Sequence, residues 1–171
     1  MRLRTDRCTL RPYRAADAAS LARHADNRKV WLNLRDLFPH PYTAADAEAY
    51  IARVAAEAPV TRFAVDVGGE AVGGVGFQLG RDIERRSAEI GYWLGEAHWG
   101  RGVMTAAVRA ATAYAFRDLD LLRVFALPFA HNAASARVLE RAGYQREGTM
   151  RRSAVKDGVV LDQHLYAAVR D

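Results

Sequence analysis

Between a strand-like stretch, AEIGYWLGE, and a run of good helix formers lies HWGRGVMTAA, residues His98 to Ala107. Two glycines flank an arginine there, with no proline among them. Two readings fit. One is a tight connection. The other is an anion cradle, because a helix N-terminus presents backbone N–H groups with no intrahelical partner and the positive end of the helix dipole. Glycines let that backbone approach a phosphate closely. In the second reading the amides of Arg101, Gly102, Val103, Met104 and Thr105 are aimed at a pyrophosphate. Other phosphate motifs are absent: there is no GxxxxGK[ST], and GVGFQL and GRGVMT both lack the third glycine of GxGxxG. His24, His40, His98, His131 and His164 show no metal-ligand spacing, so no metal is expected. Cys8 is the only cysteine, which leaves no internal disulfide.

These residues sit in a chain of 171 residues, a length that fits one domain over 1–171 with a proper core. Hydrophobic residues make up 50% and charged residues 26%, ordinary for a globular protein. No apolar run approaches membrane-spanning length. The opening MRLRTDRCTLRPYR carries charges throughout and no apolar signal region, so a cytoplasmic protein with no membrane partner is expected. The formal charge of +5 is almost all arginine, since Lys29 and Lys156 are the only lysines. The arginines are dispersed. They read as a solvated basic surface or as a field that attracts an anionic ligand.

The elements that must position the cradle follow from periodicity. Cys8–Arg14 alternates as a first strand, and Ala15–Asn27 reads as a helix with Asp17 near its start. Val30–Thr43 is mixed and holds prolines, which predicts a short helix and then a loop. Thr43 caps the next helix, with Asp46 as its capping-box partner, to about Ala58. Thr61–Val67 and Ala71–Gly80 form a hairpin. Ser87–Gly95 is a strand, Gly102–Leu119 a helix and Leu121–Phe129 a buried strand. Asn132 caps a helix that Gly143 stops, and two strands around KDG close the chain. This order predicts an α/β (α+β) fold. Its sheet is mostly antiparallel, with one parallel crossover around the Gly102–Leu119 helix.

The cradle gains meaning beside NAASARVLERAGY, residues Asn132 to Tyr144. Together with HWGRGVMT, AEIGYWLG, the early LRPY and DNRKVW, and FPHPYT followed by ADAEAYI, it resembles the GNAT superfamily of N-acetyltransferases. The likeness is to the branch of the RimJ and RimL ribosomal-protein N-terminal acetyltransferases, and it covers nearly the whole chain. It implies a sheet of about six to seven strands with flanking helices and a splayed central pair, EIGYWL and LLRVFALPF, with acetyl-coenzyme A in the gap. The backbone of Tyr92, Trp93 and Leu94 would pair with the pantetheine as an added strand pairs with a free edge. The amides from Arg101 to Thr105 would hold the pyrophosphate. The family pattern Q/R-x-x-G-x-G/A is met strictly only at Gly102; Trp99 and Met104 depart from it, although backbone amides do not depend on side chains.

The resemblance also implies the chemistry. Ser135 would donate a hydrogen bond to the leaving thiolate; otherwise it is a helix-start hydroxyl satisfied by backbone. Many branches carry a tyrosine one turn later, where this chain has Leu139. Glu89 would accept the amine's proton through water; otherwise it is a strand-end carboxylate paired with an arginine. Asn132 would both cap its helix and touch the pantetheine, while Arg137 and Arg141 face the adenosine 3′-phosphate or solvent. Trp31, Leu32, Asn33, Phe38 and Pro39, with Glu89, would line the acceptor side.

Three functions remain: acetyl transfer to a protein or peptide N-terminus, transfer to a small amine such as a polyamine, amino acid or antibiotic, and a basic nucleic-acid-binding or regulatory role. Only Asp36 adds negative charge along the lip, which gives polycations little support. No clustered basic helix or stacking motif supports nucleic acid. A homodimer is what the branch implies.

Overall fold

The computed structural model describes every residue from Met1 to Asp171. Its strands are β1 (Leu3–Arg4), β2 (Thr9–Arg11), β3 (Arg62–Val67), β4 (Glu70–Leu79), β5 (Ser87–Leu94), β6 (Arg123–Ala126), β7 (Gln145–Lys156) and β8 (Val159–Val169). Its helices are α1 (Ala18–Ala25), α2 (Arg28–Trp31), α3 (Ala44–Ala55), α4 (Val103–Asp118) and α5 (Ala133–Arg141). The strands form one sheet in the order β1-β2-β3-β4-β5-β6-β8-β7. Every pairing is antiparallel except β5 with β6, which α4 joins as a crossover.

Local chemistry accounts for most boundaries. Thr43 Oγ1 accepts the Asp46 N–H while the Asp46 carboxylate accepts the Thr43 N–H, so both ends of the capping box at α3 are made. Asn132 Oδ1 accepts the Ser135 N–H at 3.1 Å and starts α5. Two bonds end α5, Gly143 N–H to Glu140 and Tyr144 N–H to Leu139, which is a Schellman motif. The β3–β4 and β7–β8 hairpins turn on Gly68-Gly69 and Asp157-Gly158. Both central residues of each turn have positive φ, as a two-residue turn between twisted strands requires.

Two expectations needed correction. The sheet has eight strands, not six to seven, because β1 is only two residues long and too short for alternation to reveal. The apolar run Leu121–Phe129 pairs regularly only over the four residues of β6. Pro128 has no N–H to donate and the chain turns at His131, so Leu121 and Phe129 are buried without belonging to the strand.

The sheet is covered on both faces. Phe63, Val65, Ile90, Leu94 and Val124 point to the α4–α5 side, into the larger core. Ala64, Ala71 and Trp93 point to the α1–α3 side. The period of two along each strand sorts them. On α4, Met104, Ala107, Val108, Ala111 and Ala115 face the sheet at helical spacing.

One buried ion cluster ties β2 to β3 and to the turn before α1. Arg11 is 2% exposed, and it reaches both Asp17 oxygens at 2.7 and 2.8 Å and Asp66 at 2.6 Å. Burial raises the Asp17 carboxyl, yet the Arg11 bonds and the Arg14 N–H outweigh it and leave it below the usual carboxylate range.

Candidate active site

The parallel pairing of β5 with β6 lasts for three residue pairs, Ser87–Arg123, Ala88–Val124 and Glu89–Phe125, and then stops. β5 continues to Leu94 against β4 alone. The result is a gap on the β6 side of Tyr92, Trp93 and Leu94. Backbone direction is settled by the register. Gly80 N–H bonds Ser87 O and Gly95 N–H bonds Val72 O, so odd-numbered residues of β5 turn their polar groups to β4. Tyr92 and Leu94 therefore offer theirs to the gap. Trp93, expected to do the same, spends its backbone on Gly74 of β4. Trp99 closes the far end: its indole N–H donates to Leu94 O at 2.7 Å, so this side chain braces the strand end.

Beyond the gap stands the N-terminus of α4. From Gly100 to Thr105 no backbone N–H has an acceptor within the protein, and no side chain caps the helix. Gly102 holds φ at +74°, which turns the chain so that this row of amides opens outward. A Cβ at Gly102 would meet nothing within 4 Å, so the glycine answers a backbone need and open space, not crowding. Unpaired N–H groups at a helix start with φ > 0 beside them suit the oxygens of a pyrophosphate. His98, just upstream, keeps a buried Nδ1 without a partner. Burial, with His24 and Arg101 nearby, holds its imidazole below the ordinary value and so favours the neutral ring.

Ser135 lies on the same face. Its Oγ is 2.7 Å from the Tyr92 hydroxyl, a contact that joins β5 to the first turn of α5 across the opening. Arg137 is exposed on α5, and Arg141 lends its carbonyl to Arg109. Leu139 is fully buried.

Glu89 is the last residue of β5 paired with β6, and alternation sends its side chain to the α1–α3 face. There its Oε1 accepts a bond from Arg35 Nη2 at 2.6 Å. The carboxylate is 20% exposed and Arg35 62%, so the pair spans the rim. It divides two cavities. One, of about 340 Å³, is lined by Leu34, Arg35, Asp36, Phe129, Lys156 and Gln163 among others. The second, of about 250 Å³, includes Gln78, Ser87, Glu89 and Phe125. Trp31, Leu32, Asn33, Phe38 and Pro39 are absent from the larger cavity, whose wall is Leu34–Asp36. Phe38 instead packs on Tyr42 and Trp93, and the Asn33 amide bonds the Lys29 carbonyl.

Sequence reasoning missed the β7–β8 tip. Lys156, with its side chain 2% exposed, bonds Asp36 at 2.8 Å and lies 3.7 Å from the centre of the Trp31 ring. Arg28 bonds Asp157 at 2.5 Å beside it. The hairpin tip is thereby clasped to the α2–α3 loop over the larger cavity. One signal was present: Lys156 is one of only two lysines in a chain whose other basic side chains of this length are arginine.

Known proteins resemble this chain in sequence and in fold. The family described as an acetyltransferase (GNAT) domain matches residues 7–145. An uncharacterized N-acetyltransferase, p20 of Bacillus licheniformis, is 31% identical over 98% of this chain and 96% of its own. The ribosomal-protein-serine acetyltransferase of Escherichia coli is 31% identical over 50% of this chain and 48% of its own. Among solved structures, RimJ of Mycobacterium smegmatis in complex with CoA-disulfide superposes with a TM-score of 0.83. It is 27% identical and covers 95% of this chain and 81% of that one.

Proposed function

This chain belongs to the GNAT acetyltransferase family and is an N-acetyltransferase, and from that premise we propose that it moves an acetyl group from acetyl-coenzyme A to the α-amine of a protein or peptide. The observation that carries the donor half is the interrupted β5–β6 pairing, which runs toward the row of amides from Gly100 to Thr105. Tyr92 and the Leu94 N–H extend a strand edge to the pantetheine, the Leu94 carbonyl being taken by Trp99, and the α4 amides hold the pyrophosphate. Bound acetyl-coenzyme A supplies an activated thioester. Ser135 donates a hydrogen bond toward the departing sulfur. Asn132 keeps that serine in the first turn of α5. Cytoplasmic placement goes with this reading; no helix is long and apolar enough to cross a membrane.

The acceptor half rests on charge and on the acetylated amine. The larger cavity mixes Arg35 and Lys156 with Asp36, and Glu89 stands at its edge. A polycation would gain most from a wall of carboxylates, and this wall is balanced. A peptide N-terminus suits it, as the name of the ribosomal-protein-serine relative also suggests. Freeing an α-amine with a pKa near 8 of its proton costs ~1 kcal/mol at neutral pH, against ~4–5 for a lysine. A carboxylate acting through water is enough help for the first. Glu89 takes that role after an incoming ammonium displaces Arg35.

A pH–rate profile with a peptide and with a polyamine, for the wild type and Glu89→Gln, tests this. Glu89→Gln is expected to lose most activity at neutral pH and least at high pH, where free amine needs no base. A constant ratio across pH assigns Glu89 to substrate positioning. A faster polyamine reaction at every pH overturns the peptide preference.

A further inference from the structure

The Tyr92 side chain has no part in the strand-edge pairing, yet it ends on Ser135. Its hydroxyl lies 2.7 Å from Ser135 Oγ and 3.4 Å from the Ser135 carbonyl oxygen. The longer contact is poor for an O–H donor, so the bond that counts is with the serine hydroxyl. Ser135 Oγ has no other partner; its N–H is held by Asn132. Other phenols near this point are engaged elsewhere. Tyr144 shares a 2.7 Å bond with Thr112, and Tyr166 donates to Glu140 at 2.9 Å.

A hydroxyl pair can be ordered in two ways. If Ser135 donates to Tyr92, its hydrogen is occupied and cannot serve a sulfur. If Tyr92 donates to Ser135, the serine hydrogen is free to turn into the gap. We propose that Tyr92 is the positioning residue for the leaving thiolate, donating its O–H to Ser135 Oγ so that the Ser135 O–H points at the coenzyme sulfur. This rests on the role given to Ser135 above. Two hydroxyls in series polarise each other, which strengthens the outer bond as charge grows on sulfur. Burial pushes the Tyr92 phenol well above its ordinary value, and the Ser135 bond offsets that only in part. Tyr92 therefore stays an O–H, which leaves it able to donate and unable to act as an acid. The balance is simple. The amine nitrogen bonds to the acyl carbon, the carbon–sulfur bond breaks, and its electron pair stays on sulfur. The proton lost by the amine reaches the sulfur through solvent. Neither hydroxyl is consumed.

The test needs no acceptor. A donor pair aimed at sulfur lowers the pH at which bound coenzyme A forms its thiolate, which absorbs in the ultraviolet. Cys8 does not interfere, because it is the only protein thiol and burial raises it. Coenzyme A is titrated against pH in complex with the wild type, Tyr92→Phe, Ser135→Ala and the double variant, with the free-protein signal subtracted. The wild type is expected to shift the thiol down, Tyr92→Phe to lose part of the shift, and Ser135→Ala to lose it all. The double variant then matches Ser135→Ala. If Tyr92→Phe keeps the whole shift while Ser135→Ala abolishes it, the relay is wrong and the serine role stands. If Ser135→Ala keeps the shift, the serine role falls and the relay with it. If Tyr92→Phe still acts in the absence of Ser135, the phenol touches sulfur directly and the proposal is overturned. Melting curves of Tyr92→Phe, which removes one oxygen, confirm that it is folded.

Discussion

On the α4 side of the opening, the groups free to hold a ligand are backbone amides, the unpaired edge of β5 and one short hydroxyl. On the α1–α3 side the groups at the larger cavity are charged side chains already held in ion pairs, Arg35 with Glu89 and Asp36 with Lys156, on a loop and a hairpin tip. The first set is fixed by strand register and helix start and barely depends on which residues occupy the positions. The second set can be rewritten one substitution at a time without touching the sheet. A ligand portion common to every turnover suits the first, and a variable acceptor suits the second.

That contrast predicts where damage shows. Removing the hydroxyl in Ser135→Ala is expected to lower turnover about 10²-fold for every acceptor alike, while the KM for acetyl-coenzyme A moves far less. Steady-state kinetics with two different acceptors checks it. An effect confined to one acceptor would place Ser135 on the wrong side of the comparison. Next in size is Gly102→Val. A β-branched residue at φ +74° costs roughly 1–2 kcal/mol, and relief of that strain swings the amides away. Coenzyme A should bind about tenfold weaker by calorimetric titration. Unchanged affinity in a folded variant would remove the helix start from the donor site. The smallest effect belongs to the clasp. Lys156→Met gives up the Asp36 bond and the contact with the Trp31 face, worth about 0.5–2 kcal/mol. The acceptor KM should rise several-fold while coenzyme A affinity stays put, measured by kinetics and calorimetry on one preparation. A loss of coenzyme affinity would mean the two sides are coupled and the division fails.

The donor side was largely legible in the chain because its signals are local. Asn132 with Ser135, and the glycines around Arg101, each act within a few residues. Alternation in AEIGYWL placed β5 and its neighbours. The direction of the Trp93 backbone was not legible, because it depends on register with β4, a long-range property. The acceptor side was legible only in outline. Lys156 meets Asp36 and Trp31 across more than a hundred residues of chain, and no periodicity encodes that meeting. Leu34–Asp36, and not Trp31–Asn33, form the cavity wall because the hairpin tip comes down on the loop at that point. The pairing of Glu89 with Arg35 was one of two readings of that carboxylate; its catalytic part stays a proposal.

The three tryptophans of this chain are divided by the same opening. Trp31 lies under the Lys156 ammonium and Trp93 packs on Phe38, both on the α1–α3 side. Trp99 is 44% exposed at the other end, its indole tied to the last carbonyl of β5. The molecule thus carries its own optical reporters. With Trp31 and Trp93 changed to phenylalanine, the remaining fluorescence comes from one indole beside the donor groove. With coenzyme in the groove proposed above, its emission colour and quenching by iodide are expected to follow occupancy without a label. Keeping Trp31 alone turns the same instrument on the hairpin tip, so the two halves of a catalytic cycle become separately visible in one protein.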